Sequence, residues 1–284
     1  MPVTVLSEVL MCRLFAFVSP DRSTAERELG ETGMESLRSL ARLHGDGWGW
    51  AGVERTGTAP EVRTSPRSAS ADPAFADAMA EDVHAAVVHL RWATSGLPIT
   101  AANTHPFRIG DVAFAHNGTL KPIGRARELL APASLAAMVG DTDSEMYFRL
   151  IREQLDAGVP LFEATLTVVR RLREAFPLAS LNALVMDAEQ LVVVHASALS
   201  ILSDDDLGAI ARLDRLPDEH NEDYYALRWT QDPDGTVRIG STGVARPEWP
   251  AMPAESVTAI RLDDRTSVTV QLAGAEAPFA TSRR

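Results

Sequence analysis

Two apolar-striped stretches lie back to back near the middle of this chain, with short apolar runs on both sides, and that order restricts the fold more than any other feature. In the first, Asp141 or Thr142 caps a helix that opens at Asp143, and Met146, Tyr147, Leu150, Ile151 and Leu155 recur at helical spacing. The second covers 161–176, and its stripe ends before Pro177. Before them, 13–18, 48–53, 61–64, 85–90 and 112–115 read as strands, the first closed by a turn at Ser19-Pro20-Asp21. The pair 48–53 and 61–64 forms a hairpin whose tip starts at Thr56, and 34–43 and 73–80 have helical composition. After the two helices only strands follow, at 181–186, 191–195, 224–229, 236–240, 256–262 and 268–272. Strands, adjacent helices and strands again predict sheets packed on each other with helices outside, not alternating βαβ units.

A chain of 284 residues with 45% hydrophobic residues fills one large core. No internal repeat and no Gly/Ser-rich linker divides it, so a single domain is expected over 12–273, with an acidic insertion at 200–224 and a frayed tail at 274–284. Against 39 acidic residues stand 27 basic ones, a net charge of -12 that repels phosphate backbones and anionic lipid. Nucleic acid and membrane are therefore excluded as partners. The single cysteine, Cys12, forms no internal disulfide, and no Cys or His spacing resembles a zinc site, which points to a reducing, cytoplasmic location and no metal. The first ten residues lack a basic start and are interrupted by Ser7 and Glu8, so they fail as a signal peptide.

Polar, glycine and aromatic residues gather where strands end: Met11-Cys12-Arg13, His44-Gly45-Asp46-Gly47-Trp48-Gly49, Arg91-Trp92-Ala93-Thr94-Ser95-Gly96 and His116-Asn117-Gly118. A fifth group, 140–145, opens the first helix. Each has a plain structural reading. A lone cysteine is ordinarily buried and inert, Asn-Gly is a hairpin turn, an acid at a helix start serves the helix dipole, and the glycine cluster is a tight turn. Taken together and in this order, they resemble the glutaminase domain of class II glutamine amidotransferases, which are N-terminal nucleophile hydrolases. Within that group the chain looks most like the small stand-alone type, and the resemblance is strongest from Met11 to about Leu155.

The resemblance implies an α+β fold, a four-layer αββα sandwich of two mainly antiparallel sheets. It implies that Cys12 is the nucleophile, with its own α-amine as base, because a free amine with a pKa of about 7.7 suits that role. Asn117 and Gly118 would form the oxyanion hole. Arg91 would hold a substrate α-carboxylate, Trp92 and Thr94 would line the pocket, and Asp143 would receive the α-ammonium. No cofactor is implied. The glycines at 45–49 would bring the backbone close to Cys12, with Asp46 or Trp48 shaping the site, whereas His105 and His116 read as structural.

Two departures matter. Many synthase-linked members have His where this chain has Ser95, which leaves both glutamine and other γ-glutamyl amides open as substrates. Residues 1–11 precede the nucleophile, and are expected to be absent from the mature protein, through initiation at Met11 or removal of a peptide. Three functions follow: a glutaminase that hands ammonia to a separate synthase, a hydrolase trimming a γ-glutamyl group from a small metabolite as stand-alone members of ergothioneine biosynthesis do, or a catalytically silent binding or regulatory protein with a blocked Cys12.

Overall fold

Along the first strand, β1 (Arg13–Ser23), the buried side chains leave in two directions. Phe15 and Phe17 enter one hydrophobic cluster and Leu14, Ala16 and Val18 another, as strict two-residue alternation requires. This computed structural model describes residues 12–43, 45–54, 59–92, 98–200 and 224–272. After β1 come α1 (Ala25–Leu43), β2 (Trp48–Val53), β3 (Glu61–Ser65), α2 (Pro73–Met79), β4 (Val83–Leu90), β5 (Phe107–Ile109) and β6 (Val112–Asn117). Four helices follow, α3 (Ile123–Glu128), α4 (Pro132–Ala136), α5 (Asp143–Asp156) and α6 (Leu161–Ala175). The chain then runs through β7 (Asn182–Met186), β8 (Gln190–His195), β9 (Leu227–Gln231), β10 (Val237–Ser241), β11 (Ser256–Arg261) and β12 (Ser267–Gln271).

The strands form two six-stranded sheets, ordered β3-β2-β4-β1-β10-β9 and β12-β11-β8-β7-β6-β5. Every pairing between neighbours is antiparallel. Three clusters of buried side chains separate the layers. Phe15, Phe17, Trp48, Trp50 and Val88 meet Leu37 and Leu40 of α1 and Phe75 of α2 on the outer face of the first sheet. Phe114, Val185 and Val192 meet Phe148 and Ile151 of α5 and Val168 and Leu172 of α6 on the outer face of the second. Between the sheets lie Leu14, Ala16, Val18, Ala113, Ala115, Leu184 and Val193. The result is the four-layer αββα sandwich. Among the described residues no helix is long and apolar enough to cross a membrane.

Several boundaries differ from the sequence reading. β1 does not stop at the Ser19-Pro20-Asp21 turn but runs to Ser23, its register with β4 shifting between Val18 and Ser23. A proline within a strand is tolerated at such an irregularity, where the ladder makes no use of an N–H. The helix expected at 34–43 begins at Ala25 and kinks at Gly30, whose φ of 66° is open to glycine. The strand expected from 224 begins at Leu227. The short elements β5, α3 and α4 were not anticipated. The hairpin tip, most of the acidic insertion and the terminal tail fall outside the described residues.

One close approach fixes the frame of the site. Gly49, the second residue of β2, faces His105 and Pro106, and a Cβ there would overlap the His105 carbonyl and lie 2.7 Å from Pro106 Cδ. Gly49→Ala should therefore destabilise the fold by about 1–3 kcal/mol, read as a lowered denaturation midpoint. A neutral result would show that the 98–106 segment yields without cost.

Candidate active site

Strand register brings the candidate residues to one end of the sandwich. Arg13 pairs with Leu90, so the start of β1 meets the end of β4, and Arg91 and Trp92 follow directly. Leu14 and Ala16 face between the sheets, and alternation carries that inward set back to Cys12. In β6, Ala113 and Ala115 face the same core and Asn117 is next in the series, while Phe114 and His116 turn toward α5. The end of β6 is tied to the start of α5 twice: His116 Nδ1 lies 2.9 Å from Ser144 Oγ, and the Leu120 N–H donates to the Asp143 carboxylate.

The thiol of Cys12 is partly buried and its Sγ lies 3.9 Å from the Trp92 carbonyl oxygen. Burial pushes it up to about 11, opposed by the backbone of Trp92 and by the guanidiniums of Arg91 and Arg13, while Asp143 adds to the rise. Arg91 is buried, donating from Nη1 to the Asp46 carbonyl at 3.2 Å and from Nη2 to the Pro98 carbonyl at 3.3 Å. Burial holds its guanidinium below the usual value. Asp143 is buried at the first turn of α5, and burial raises its carboxyl against the pull of His116 and of backbone N–H donors. Asn117 is fully buried, and among the described residues neither end of its carboxamide has a hydrogen-bond partner. A Cβ on Gly118 would overlap the Ser180 carbonyl, so that position accepts only glycine.

The structure thus gathers Cys12, Arg91, Trp92, Asn117, Gly118 and Asp143 at one end. Trp92 meets the thiol through its backbone carbonyl. Thr94, Ser95 and His44 lie outside the described residues. The glycine cluster acts differently from the expectation: Gly49 makes room for His105 and Pro106 rather than for Cys12. Trp48 faces the helical layer, stacking edge-on against Phe75 and donating from Nε1 to Asp72 at 3.1 Å, so it does not shape the site. Asp46 takes part through its carbonyl, on Arg91.

Two supporting networks were not read from the sequence. His89, His105 and His116 form a buried chain, with His105 Nδ1 3.2 Å from His89 Nε2 and accepting from the His116 N–H at 3.4 Å. His116 Nε2 donates to the Ser180 carbonyl at 3.1 Å, which leaves Nδ1 to accept from Ser144. Three elements carrying Arg91, Asn117 and Asp143 are joined through neutral imidazoles. The second network holds the loop before Asp143. Glu145 accepts from the Val139 and Gly140 N–H groups at 2.9 and 2.7 Å, while Asn103 accepts from the Asp141 N–H and donates to the Pro98 carbonyl. Its signal was present in the sequence as Thr142-x-x-Glu145, a helix-capping pattern, and Thr142 does accept from the Glu145 N–H at 3.1 Å. Among the described residues no group of three or more His, Cys, Asp or Glu side chains is arranged to hold a metal ion.

Burial keeps all three imidazoles below their ordinary value of 6.5, His89 at about 3. At these three sites the unfolded chain therefore binds more protons than the folded one below about 6.5, and the stability they contribute is lost as pH falls through that window toward 3. Urea midpoints should decline over this range, and His89→Asn should flatten the slope by about 1.4 kcal/mol per pH unit. An unchanged slope would place the acid sensitivity in other groups.

Comparison with known proteins identifies the family and the fold. The profile of the class II glutamine amidotransferases matches residues 11–214. Glutamine–fructose-6-phosphate aminotransferase (isomerizing) of Methanothermobacter thermautotrophicus is 30% identical over 176 residues, 61% of this chain and 28% of that relative. The chain thus spans little more than a quarter of that relative's length. Among solved structures, a glutamine aminotransferase class-II domain protein from Silicibacter pomeroyi superposes with a TM-score of 0.59 at 16% identity, covering 93% of this chain and 100% of that one. Glutamine phosphoribosylpyrophosphate amidotransferase from B. subtilis gives 0.61 at 14% identity, over 92% of this chain and 49% of that one, and both likenesses speak to the fold. With the profile matching well over half of its length, the chain belongs to the class II glutamine amidotransferases.

Proposed function

We propose that this chain hydrolyses the γ-amide of glutamine, or of a γ-glutamyl amide metabolite, through a γ-glutamyl thioester on Cys12. The observation that carries the reading is the Asn117 carboxamide, buried with neither end hydrogen-bonded, at the same end of the sandwich as the thiol. An unpaired buried polar group costs about 1–3 kcal/mol, and a catalytic role is one of the reasons a fold keeps one.

A thiol at about 11 is almost wholly protonated near neutrality, so the reaction needs a base within reach of Sγ. In this reading residues 1–11 are absent from the acting form, and the α-amine of Cys12 takes the thiol proton. Sulfur adds to the γ-carbonyl carbon, and the resulting oxyanion accepts from the Asn117 side-chain amide and the Gly118 backbone N–H, donors worth about 3 kcal/mol each. The oxyanion collapses, the C–N bond breaks, and the α-ammonium returns its proton to the departing nitrogen. Water then loses a proton to the same amine and adds to the thioester, the C–S bond breaks, the thiolate recovers that proton, and the γ-carboxyl product releases its own proton to solvent as it leaves.

Arg91 and Asp143 orient the γ-glutamyl head. Among the described residues the two carbonyls on Arg91 occupy one N–H on each terminal nitrogen, leaving a second on each for an α-carboxylate. Asp143, raised by burial, gains its counter-charge when an α-ammonium arrives. Both contacts suit glutamine and other γ-glutamyl amides equally. Trp92 lines the pocket, any ammonia passes to a separate synthase, and the enzyme acts in the cytoplasm without a cofactor.

Cys12→Ala should abolish turnover of glutamine and γ-glutamyl amides while glutamine still binds by calorimetry. Full activity in that variant would overturn the reading, and binding without turnover in the wild type would favour the silent alternative. Arg91→Ala should lower kcat/KM by roughly 10²-fold, mainly through KM.

A further inference from the structure

We propose that Arg13, the residue after the nucleophile, is a positioning residue that sets the orientation of Cys12; this rests on Cys12 being the nucleophile as read above. Arg13 is 1% exposed, among the largest fully buried side chains of the described protein. By strand alternation its side chain leaves on the side opposite Cys12 and Leu14. Its Nη1 nonetheless reaches back to donate to the Cys12 carbonyl at 2.9 Å. The guanidinium carbon lies 4.1 Å from the centre of the Tyr224 ring, itself buried, in the geometry of a cation–π contact.

The physical need arises from the N-terminal position. A first residue has no preceding peptide to hold it, so the orientation of its one following peptide plane decides where its amine and its thiol stand. Arg13 fixes that plane through the carbonyl oxygen, and Tyr224 fixes Arg13. Placement of this kind is worth far more in rate than a single contact is in stability, because a displacement of about 1 Å in a reacting group can cost roughly 10²-fold. The guanidinium has a second effect, through charge. The charges that act on the thiol are Arg91 from the end of β4, Asp143 from α5 and, from the other side of its own strand, Arg13, and the two cations oppose the upward push of burial and of the carboxylate.

The test uses the chain expressed from Met11 as wild type, Arg13→Met and Arg13→Lys. Turnover is followed with glutamine and γ-glutamyl-p-nitroanilide, and thiol reactivity with iodoacetamide from pH 6 to 10. Arg13→Met should lower kcat by roughly 10-fold or more with KM within about two-fold, and should move the alkylation midpoint about one pH unit upward. Arg13→Lys keeps the charge and loses the fork, so its midpoint should stay near the wild type while kcat still falls by several-fold. A folded Arg13→Met with wild-type kcat and midpoint would overturn the proposal. If Arg13→Met does not fold, Arg13→Lys decides, and wild-type kcat in that variant would overturn it. A wild type that turns over neither substrate and resists alkylation removes Cys12 as nucleophile and Arg13 with it, whereas an active wild type with indifferent variants removes Arg13 alone.

Discussion

Leu14, Ala16 and Val18 of β1 and Ala113 and Ala115 of β6 occupy one inter-sheet core, and the arrangement of the candidate site follows from that packing. Once these residues face inward, the two-residue period gives the next inward positions at the same end to Cys12 and Asn117. It also sends His116 outward, where α5 meets it at Ser144, and brings Asp143 beside the turn at Leu120. A shift of one residue in either strand would reverse these directions and bury the wrong set. The register is fixed along most of each strand, with β1 held against β4 on one side and β10 on the other.

Polar groups at that end are held under tension between burial and charge. The thiol and the Asp143 carboxyl are both pushed toward their neutral forms by burial, and Arg91 is pulled below its ordinary value. In the proposed reading the strain on Arg91 and Asp143 would ease when a zwitterionic γ-glutamyl head fills the space, its carboxylate complementing Arg91 and its ammonium Asp143. An interior kept in this state needs a rigid frame, and the histidine chain with the Glu145 and Asn103 locks supplies one. These contacts join β4, the 98–106 segment, β6 and α5 without placing a further charge next to the thiol.

Much of this was legible in the sequence for identifiable reasons. Period and capping signals at Thr142, Met146, Leu150 and Ile151 placed α5, and continuous apolar runs placed the central strands, because those segments are buried over their whole length. The order of the motifs at strand ends pointed to the fold and the candidate residues. What the sequence did not reveal depends on contacts distant along the chain. Pro20 looked like a terminator because nothing local shows that β1 and β4 shift register there. Trp48 looked like a site residue until its indole was seen bonded to Asp72 in the outer layer. The histidine chain links positions 89, 105 and 116, which share no local pattern.

The central claim is a cysteine nucleophile with its own amine, set in a γ-glutamyl-shaped site. Intact mass of the protein expressed from Met11, before and after incubation with 6-diazo-5-oxo-L-norleucine, tests it most directly. The account predicts a starting mass lacking methionine and a single stoichiometric adduct that peptide mapping assigns to Cys12. A protein that has lost its methionine and remains unmodified by the electrophile would contradict it.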